Sequence, residues 1–439
     1  MHYPDSVQFL YALGNEMRSA KLGLDRMQAL LDALGNPQQH FRIVHVAGTN
    51  GKGSTCAMIA SGLQVAGSRT GLYTSPHLLE PTERIRIEGR ELTQGAFTEA
   101  FDAVHAVAER MLARGELDAH PSYFETVTAM GFWAFAQAGV EWAVIEVGLG
   151  GRLDATNVVQ PELAVITPID FDHEAWLGHS IESIAGEKAG ILKPRVPALT
   201  SAQRPEALAV LRQRALDLQV PLYQTADWPT RDVQVHADGA RFEMQAGPFR
   251  PRAPLLVECP LRGAYQSVNA HTAAAALDLL GLQPNQIEQG IRSVRWPGRL
   301  QQVAFHPDVF LDGAHNPAGC AALAQYIRQV KGDRPVWLVF GVMRDKAISE
   351  MAAHLFPCAD HLLLTAPRQP RALRPEAMIE EAGETPYTLA ADLAAALELV
   401  RQAPPNALVF IAGSLFLVAE AAAVLGLDEL GPAHNNVSS

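Results

Sequence analysis

The stretch Ile43-Val44-His45-Val46-Ala47-Gly48-Thr49-Asn50-Gly51-Lys52-Gly53-Ser54-Thr55 runs from an apolar, β-branched segment into a glycine-rich loop, and a helix-compatible stretch over 54–65 follows. Strand, glycine loop and helix in that order build a phosphate cradle. Glycines let backbone N–H groups close around phosphate oxygens, the helix start adds partial positive charge, and Lys52 supplies a mobile full charge. A bound nucleoside triphosphate is therefore expected. The loop departs from the common G-x-x-x-x-G-K-[ST] pattern at two positions: Val46 stands where the first glycine would, and Gly53 follows Lys52 where Ser or Thr would.

Outward from this loop, short β-branched runs alternate with longer helical stretches up to about residue 200, as a parallel sheet with crossover helices requires. Strands are expected at 43–47, 70–73, 143–147 and 163–167, and helices at 54–65, 97–112, 124–138 and 181–191. The Pro-rich stretch 220–260, with alternating runs such as Arg241-Phe242-Glu243-Met244, suggests a small antiparallel excursion. Helices over 269–280 and 286–293 precede Trp296-Pro297-Gly298, which interrupts the pattern and sets the expected boundary between domains 1–295 and 296–439. Beyond it the alternation restarts, with strands at 309–311, 336–340, 361–365 and 408–411 and helices at 319–329, 348–355, 374–381, 390–401 and 415–425. A second, smaller open α/β sheet accommodates these, and the polar stretch 431–439 reads as a frayed end.

A chain of 439 residues exceeds the roughly 250–300 at which a single core stops growing, so two domains agree with length as well as pattern. No apolar run approaches the roughly 18 residues a membrane span needs, and Met1-His2-Tyr3-Pro4-Asp5 lacks the layout of a secretory signal, which points to the cytoplasm. The four cysteines, Cys56, Cys259, Cys320 and Cys358, form no C-x-x-C pair, so reduced core thiols are expected rather than zinc or disulfides. A formal charge of −12 disfavours nucleic acid and acidic membranes as partners. Anionic ligands must then rest on local cations and N–H groups.

A phosphate loop explains binding, and reaction needs hard oxygen donors for Mg²⁺. Ser75 follows the strand at 70–73, Glu146 closes Ala143-Val144-Ile145-Glu146, and His173 lies in Asp170-Phe171-Asp172-His173 just past Val165-Ile166-Thr167. C-terminal strand ends of a parallel sheet share one edge, so these three can converge. Lys188, in Glu187-Lys188-Ala189-Gly190-Ile191, is either a solvated lysine or an amine whose pKa is lowered in a desolvated, electropositive site. In the second domain Leu311-Asp312-Gly313-Ala314-His315-Asn316-Pro317 sets an acid, a histidine and an amide at a strand-to-helix turn, and Arg299 follows Pro297-Gly298. A strand-end carboxylate suits ribose hydroxyls and Arg or His suits phosphate; an Asx turn beside a surface arginine is the structural alternative.

Together, several strings resemble the folylpolyglutamate synthase and dihydrofolate synthase family, a branch of the Mur-type amide ligases. They are His45 to Ser54, Thr74-Ser75-Pro76-His77, Glu83-Arg84-Ile85, Phe124-Glu125-Thr126, Glu146 to Asn157, Asp172-His173, Glu187 to Ile191, Pro297-Gly298-Arg299 and Leu311 to Pro317. The likeness extends from about residue 20 to 420. It implies an N-terminal P-loop, Mur-ligase-like ATPase domain and a smaller C-terminal Rossmann-like α/β domain. By matching motif, Ser75, Glu146 and His173 become ligands of Mg²⁺, with two ions expected, and Lys188 becomes an N6-carboxylated lysine. Asn50, Gly51, Lys52 and Gly53 hold the phosphates of ATP, Asn269 and Asp312 meet the nucleoside, and Arg299 and His315 meet phosphate. Lys52, Lys188, Arg299 and His315 form the implied catalytic set. The segments Leu22-Gly23-Leu24-Asp25, Ser122-Tyr123-Phe124-Glu125 and Leu153-Asp154-Ala155 look like the pterin-binding positions of bifunctional bacterial members. Asp345, Lys346 and Ser414 are the implied neighbours of glutamate.

The activity so implied is ATP-dependent: a carboxylate of dihydropteroate or of a reduced folate attacks the γ-phosphoryl, and the amine of L-glutamate displaces phosphate from the acyl phosphate. A monomer is expected. A cell-wall Mur ligase shares this chemistry but would carry G-K-[ST]-T where this chain has Gly51-Lys52-Gly53-Ser54. A nucleotide switch would release phosphate whether or not an acceptor is present.

Overall fold

The computed structural model describes residues 1–14, 23–249 and 252–427. By contact density the chain divides into two compact units: one of 1–232, 242–258 and 268–294, the other of 233–241, 259–267 and 295–439. The segments expected with the first domain that cluster with the second do so through specific bonds. Tyr326 donates its hydroxyl to the Ala237 carbonyl at 2.8 Å, Gln329 Nε2 donates to the Val235 carbonyl at 2.9 Å, and Arg262 donates to Gln302 at 3.2 Å.

In the first unit, strands β1 (Arg42–Ala47), β2 (Thr70–Tyr73), β3 (Ile85–Ile87), β4 (Arg90–Glu91), β5 (Trp142–Glu146), β6 (Leu163–Ile166), β7 (Ala198–Thr200) and β8 (Leu222–Gln224) make one sheet. Its order is β4-β3-β2-β5-β1-β6-β7-β8, parallel from β2 through β8, with β3 and β4 added antiparallel at one edge. The central strands read as continuous apolar runs because helices cover both faces. Ile43, Tyr73, Ala143 and Ile145 pack under helices Asp25–Ala33, Gln94–Ala113 and Tyr123–Gln137. The register His45 to Ala164 and Ala47 to Ile166 continues that face, where Ala164, Ile166 and Ala198 meet helices Ile181–Ala189 and Pro205–Leu218. By the two-residue period Val44, Val46, Val144 and Val165 point the other way, and all four are fully buried.

Helix Lys52–Val65 leaves the phosphate loop and crosses helix Pro284–Arg292 at a glycine contact. A Cβ on Gly290 would run into the Gly62 backbone, and Ser61 Oγ donates to the Gly290 carbonyl at 2.7 Å. Two bare backbones thus seat the helix that begins at Lys52.

Strands β9 (Thr230–His236), β10 (Gly239–Met244) and β11 (Leu255–Cys259) form a separate sheet in the order β11-β10-β9, within the stretch expected to hold an antiparallel excursion. The second unit holds β12 (Gln301–Ala304), β13 (Asp308–Leu311), β14 (Val336–Phe340), β15 (His361–Leu364), β16 (Tyr387–Leu389) and β17 (Leu408–Ala412), in the order β12-β13-β17-β14-β15-β16. All neighbours are parallel except β12 with β13. Its core gathers Phe310, Leu338, Phe340, Leu362, Leu364 and Phe410 against Leu323, Ile327 and Leu355.

The expected helix over 374–381 is instead a 3₁₀ turn, Pro375–Met378, followed by the four-residue helix Ile379–Ala382. Residues 431–439, read as a frayed end, lie outside the described residues. All four cysteines are buried thiols. Among the described residues no helix is long and apolar enough to cross a membrane.

Candidate functional site

The loop Gly48–Gly51 sits at the C-terminal edge of the sheet, between the ends of β5 and β6, which flank β1. Gly51 occupies the left-handed region at φ 85° and caps helix Lys52–Val65, a conformation costing a residue with a Cβ about 1–2 kcal/mol. A Cβ there would also collide with the Asn269 side chain, so Asn269, 3% exposed, stands directly against the loop. The segment after β6 laces the loop down: Thr49 N donates to Pro168 O at 2.9 Å, Asn50 N donates to the same oxygen at 3.2 Å, and Thr49 Oγ1 donates to Asp170 O at 2.9 Å.

Two amines converge on this loop. Lys52 Nζ donates to the carbonyls of Gly48 and Thr49, each at 3.2 Å, and Lys188 Nζ donates to the same Gly48 carbonyl at 2.8 Å. Lys188 is 4% exposed, which excludes the solvated alternative. Burial, then the Lys52 charge, lower its pKa to about 7, against the opposing pull of Asp172, Asp154 and Glu187. Its helix is held by the loop after β5. Arg152 N donates to Glu187 O at 2.8 Å, the Arg152 guanidinium pairs with the Glu187 carboxylate at 2.8 Å, and Asn157 Nδ2 bridges Arg152 O and Gly190 O at 2.9 and 3.1 Å.

Ser75 and Glu146, 71 residues apart in sequence, meet because β2 and β5 are parallel neighbours: Ser75 N donates to Glu146 Oε2 at 3.1 Å. Glu146 is 4% exposed. His173 lies beyond β6 in the left-handed region at φ 53°, capping the short helix Glu174–Leu177, with its Nε2 3.9 Å from Asp172 Oδ2. Ser75 and the buried Glu146 carboxylate offer hard oxygen donors on one sheet edge, of the kind Mg²⁺ takes, and the His173 imidazole on that edge is a borderline donor. A cavity of about 740 Å³ lies at the opposite strand ends, lined by His40, Arg42, Trp142 and Glu162 among others, away from these donors.

The pterin positions are drawn together in part. Arg26, next to Asp25, pairs with Glu125 at 3.2 Å, which ties 23–26 to 122–125; Leu22 lies outside the described residues. Ser122 and Glu125 form a reciprocal helix cap, Ser122 N donating to Glu125 Oε2 at 2.7 Å and Glu125 N to Ser122 Oγ at 3.3 Å. Tyr123 is stacked on Tyr11 at 5.8 Å and lies under the Arg84 guanidinium at 5.1 Å. Asp154 accepts from Leu149 N at 2.8 Å and from Thr156 N at 3.0 Å, and burial raises its pKa. Ala155 is buried, whereas Phe124 and Leu153 are half-buried.

In the second unit Asp312 also binds its own chain. Its carboxylate accepts from Leu300 N and Ala314 N, each at 2.9 Å, and from the Tyr265 hydroxyl at 3.3 Å. Burial raises its pKa while Arg299 opposes. Arg299 Nη1 donates to Gly298 O at 3.0 Å and His315 Nδ1 lies 2.7 Å from Gly313 O. Asn316 caps helix Pro317–Val330 by accepting from Gly319 N at 2.8 Å. Ser414 caps helix Leu415–Val424, while Asp345 is exposed and Lys346 half-buried. Sequence reasoning missed the backing role of Pro168 and Asp170, whose only signal was a place just past the neighbouring strand, and missed that Asp172, quoted only within the Asp172-His173 string, acts on Lys188 through its charge.

A P-loop sheet with a buried lysine at the loop and a second α/β unit defines a Mur-type ligase, and comparison bears this out. The Mur ligase middle domain matches residues 46–277, and the Mur ligase, glutamate ligase domain matches 298–415. The chain belongs to the Mur ligase family of ATP-dependent ligases, in its dihydrofolate synthase/folylpolyglutamate synthase branch. It is 36% identical to the folylpolyglutamate synthase of Lacticaseibacillus casei, over 95% of this chain and 97% of that one. With the dihydrofolate synthase/folylpolyglutamate synthase of Escherichia coli it shares 37% over 83% of this chain and 82% of the relative. A probable bifunctional folylpolyglutamate synthase/dihydropteroate synthase of Halobacterium salinarum is 37% identical over 96% of this chain, which spans about half, 51%, of that relative's length.

Among solved structures, Mycobacterium tuberculosis folylpolyglutamate synthase complexed with ADP and AMPPCP superposes with a TM-score of 0.88 at 33% identity, covering 97% of this chain and 99% of that one. Escherichia coli FolC in complex with DHPP and ADP gives 0.85 at 32%, covering 97% and 98%.

Proposed function

We infer that this chain uses ATP to add L-glutamate to dihydropteroate, forming dihydrofolate, and to reduced folates, extending their glutamate tails. The observation that carries this is the convergence of Lys52 and the buried Lys188 on the Gly48 carbonyl, on the sheet edge that also joins Ser75 to Glu146. A switch that only hydrolyses ATP needs the cradle and a metal. A desolvated lysine amine beside the cradle is a further device. With a pKa of about 7, roughly half of it is neutral at neutral pH and able to take up carbon dioxide as a carbamate. The named activities of the relatives and the ADP and DHPP complexes support the same conclusion.

Ser75, Glu146 and His173 would hold Mg²⁺, two ions in all, and the metal would neutralise charge on the γ-phosphoryl. The N–H groups of Gly51 and Gly53 orient the phosphates, Asn50, whose own N–H is held by Pro168 O, is assigned to them through its side chain, and Lys52 follows the γ-phosphoryl as charge develops on it. A carboxylate oxygen of the acceptor attacks phosphorus, ADP leaves, and an acyl phosphate results. The glutamate amine then attacks the acyl carbon, phosphate leaves with the bonding pair, and the amine proton goes to solvent. Arg299 and His315 are assigned to phosphate, Asn269 and Asp312 to the nucleoside, and Asp345, Lys346 and Ser414 to glutamate. The fold itself occupies the Glu125 and Asp154 carboxylates, so Phe124 and Leu153 are the stronger pterin contacts of the set. We place the enzyme in the cytoplasm as a monomer without nucleic-acid or membrane partners, in keeping with its charge of −12.

Phosphate release should be measured with dihydropteroate and with a reduced folate, with and without glutamate. Dependence on both acceptor and glutamate supports the ligase; release that ignores glutamate with either acceptor overturns it.

A further inference from the structure

Helix Gln94–Ala113 places His105 and Glu109 one turn apart on the same face, and His120 comes up beside them from the segment that leads into helix Tyr123–Gln137. His120 Nε2 lies 3.4 Å from His105 Nδ1, and Glu109 Oε1 lies 3.9 Å from each of those nitrogens. Two nitrogens bound tetrahedrally to one ion at about 2.0–2.1 Å stand roughly 3.3–3.4 Å apart, so the imidazole pair has the span of a chelate. Glu109 is 54% exposed and can swing the remaining few tenths of an ångström, whereas the imidazoles, 18% and 14% exposed, are pinned. Phe9 packs edge-on against both rings at 4.6 and 5.3 Å, and Phe101 stacks on His105 at 5.2 Å.

The tautomer of His120 is set by its other nitrogen. Nδ1 lies 2.9 Å from the Pro121 carbonyl, which can only accept, so Nδ1 carries the proton and the Nε2 lone pair faces His105 and Glu109. Backbone anchoring of one imidazole nitrogen while the other faces the ion is the arrangement metal-ligating histidines share.

We propose that His105, Glu109 and His120 bind a divalent transition-metal ion of the imidazole-preferring class, such as Zn²⁺, with water completing the coordination. His105 then carries its proton on Nε2 and offers Nδ1. The ion staples helix Gln94–Ala113 to the segment preceding Ser122 and so stabilises the entrance to the helix bearing Tyr123 and Phe124. This site is separate from Ser75, Glu146 and His173, which stand at the strand ends of the sheet and not on helix Gln94–Ala113, and its two neutral imidazoles favour Zn²⁺ over Mg²⁺.

The test uses the full chain, stripped with chelator and kept in saturating Mg²⁺ so that the oxygen-rich site is filled, and titrated with Zn²⁺ by calorimetry and with Co²⁺ by visible absorption. The wild type should bind one more equivalent of Zn²⁺ than His105→Gln or His120→Gln, show a tetrahedral Co²⁺ spectrum that the variants lose, and gain several degrees of thermal stability with Zn²⁺ that the variants do not. Glu109→Gln, at an exposed side chain, tests the proposal even if a histidine variant fails to fold, and should weaken Zn²⁺ binding by about tenfold or more. Equal stoichiometry and affinity in wild type and Glu109→Gln, with no Co²⁺ signal that His120→Gln removes, would show a hydrogen-bonded histidine pair only and overturn the proposal.

Discussion

Replacing Lys188 by Met should make the protein more stable and nearly inactive. The folded chain holds the Lys188 ammonium at about 7, against an ordinary 10.5, chiefly through burial. The gap of about 3.5 pH units, at roughly 1.36 kcal/mol per unit, corresponds to about 5 kcal/mol of destabilisation. Below pH 7 the folded and unfolded chains both carry the proton and the cost is whole. Between pH 7 and 10.5 the unfolded chain keeps the proton that the folded chain has lost, so wild-type stability rises with pH and the cost fades.

Met fills nearly the same volume without the charge. It gives up the amine's bond to Gly48 O, worth about 1 kcal/mol, yet that carbonyl keeps Lys52 Nζ at 3.2 Å. A net gain of about 3–4 kcal/mol is expected at pH 6, falling to about 1 kcal/mol at pH 9. Thermal unfolding of wild type and Lys188→Met at the two pH values reads this directly, and bicarbonate should stabilise only the wild type if the amine takes up carbon dioxide. Turnover should fall by orders of magnitude while ADP affinity changes little. A variant no more stable at pH 6, or one whose advantage grows toward pH 9, would refute the account of Lys188 as a buried, strained amine.

Three further outcomes are expected. Glu146→Gln keeps an oxygen for the Ser75 N–H but loses the charge, so Mg²⁺-dependent turnover should collapse with the fold intact; near-normal turnover would remove Glu146 from the site. Gly51→Ala meets both a φ of 85° and the Asn269 side chain, so ATP affinity should drop about tenfold or more by calorimetry, in line with a strain of about 1–2 kcal/mol, and unchanged affinity would count against the loop as the cradle. Burial, with a smaller push from Lys193, holds His45 down to about 3, so the unfolded chain takes up a proton below about pH 6.5 that the folded chain refuses. Stability should therefore fall by about 2–3 kcal/mol between pH 6.5 and 4.5 on this account, and His45→Leu should flatten that slope in thermal scans; an equal slope in both proteins would exclude His45 as its source.

The strands that stand in the middle of a covered parallel sheet were legible because burial on both faces leaves an unbroken apolar run: 43–47, 70–73 and 163–167 match β1, β2 and β6 to within a residue. Ile85–Ile87, Arg90–Glu91, Ala198–Thr200 and Tyr387–Leu389 were not. They lie toward the sheet edges, two or three residues long, some with side chains such as Arg90, Glu91 and Tyr387 open to solvent, and no periodicity can emerge over such lengths. Likewise the sequence did not show that Ser122 and Glu125, expected beside the pterin, cap a helix and anchor Arg26 in the folded chain. A polar pair three residues apart reads the same in either role.

By itself the sequence determined the order of the central strands and their crossover helices, the phosphate loop and the family, because glycine spacing and apolar runs act locally and survive as motifs. Only the tertiary structure decided that Ser75 meets Glu146, that Asn269 backs Gly51, and that Lys188 lies buried beside Lys52 on one carbonyl oxygen. Those facts depend on which strands are neighbours and on how far water is excluded, and neither strand order nor local dielectric is written in any short stretch of the chain.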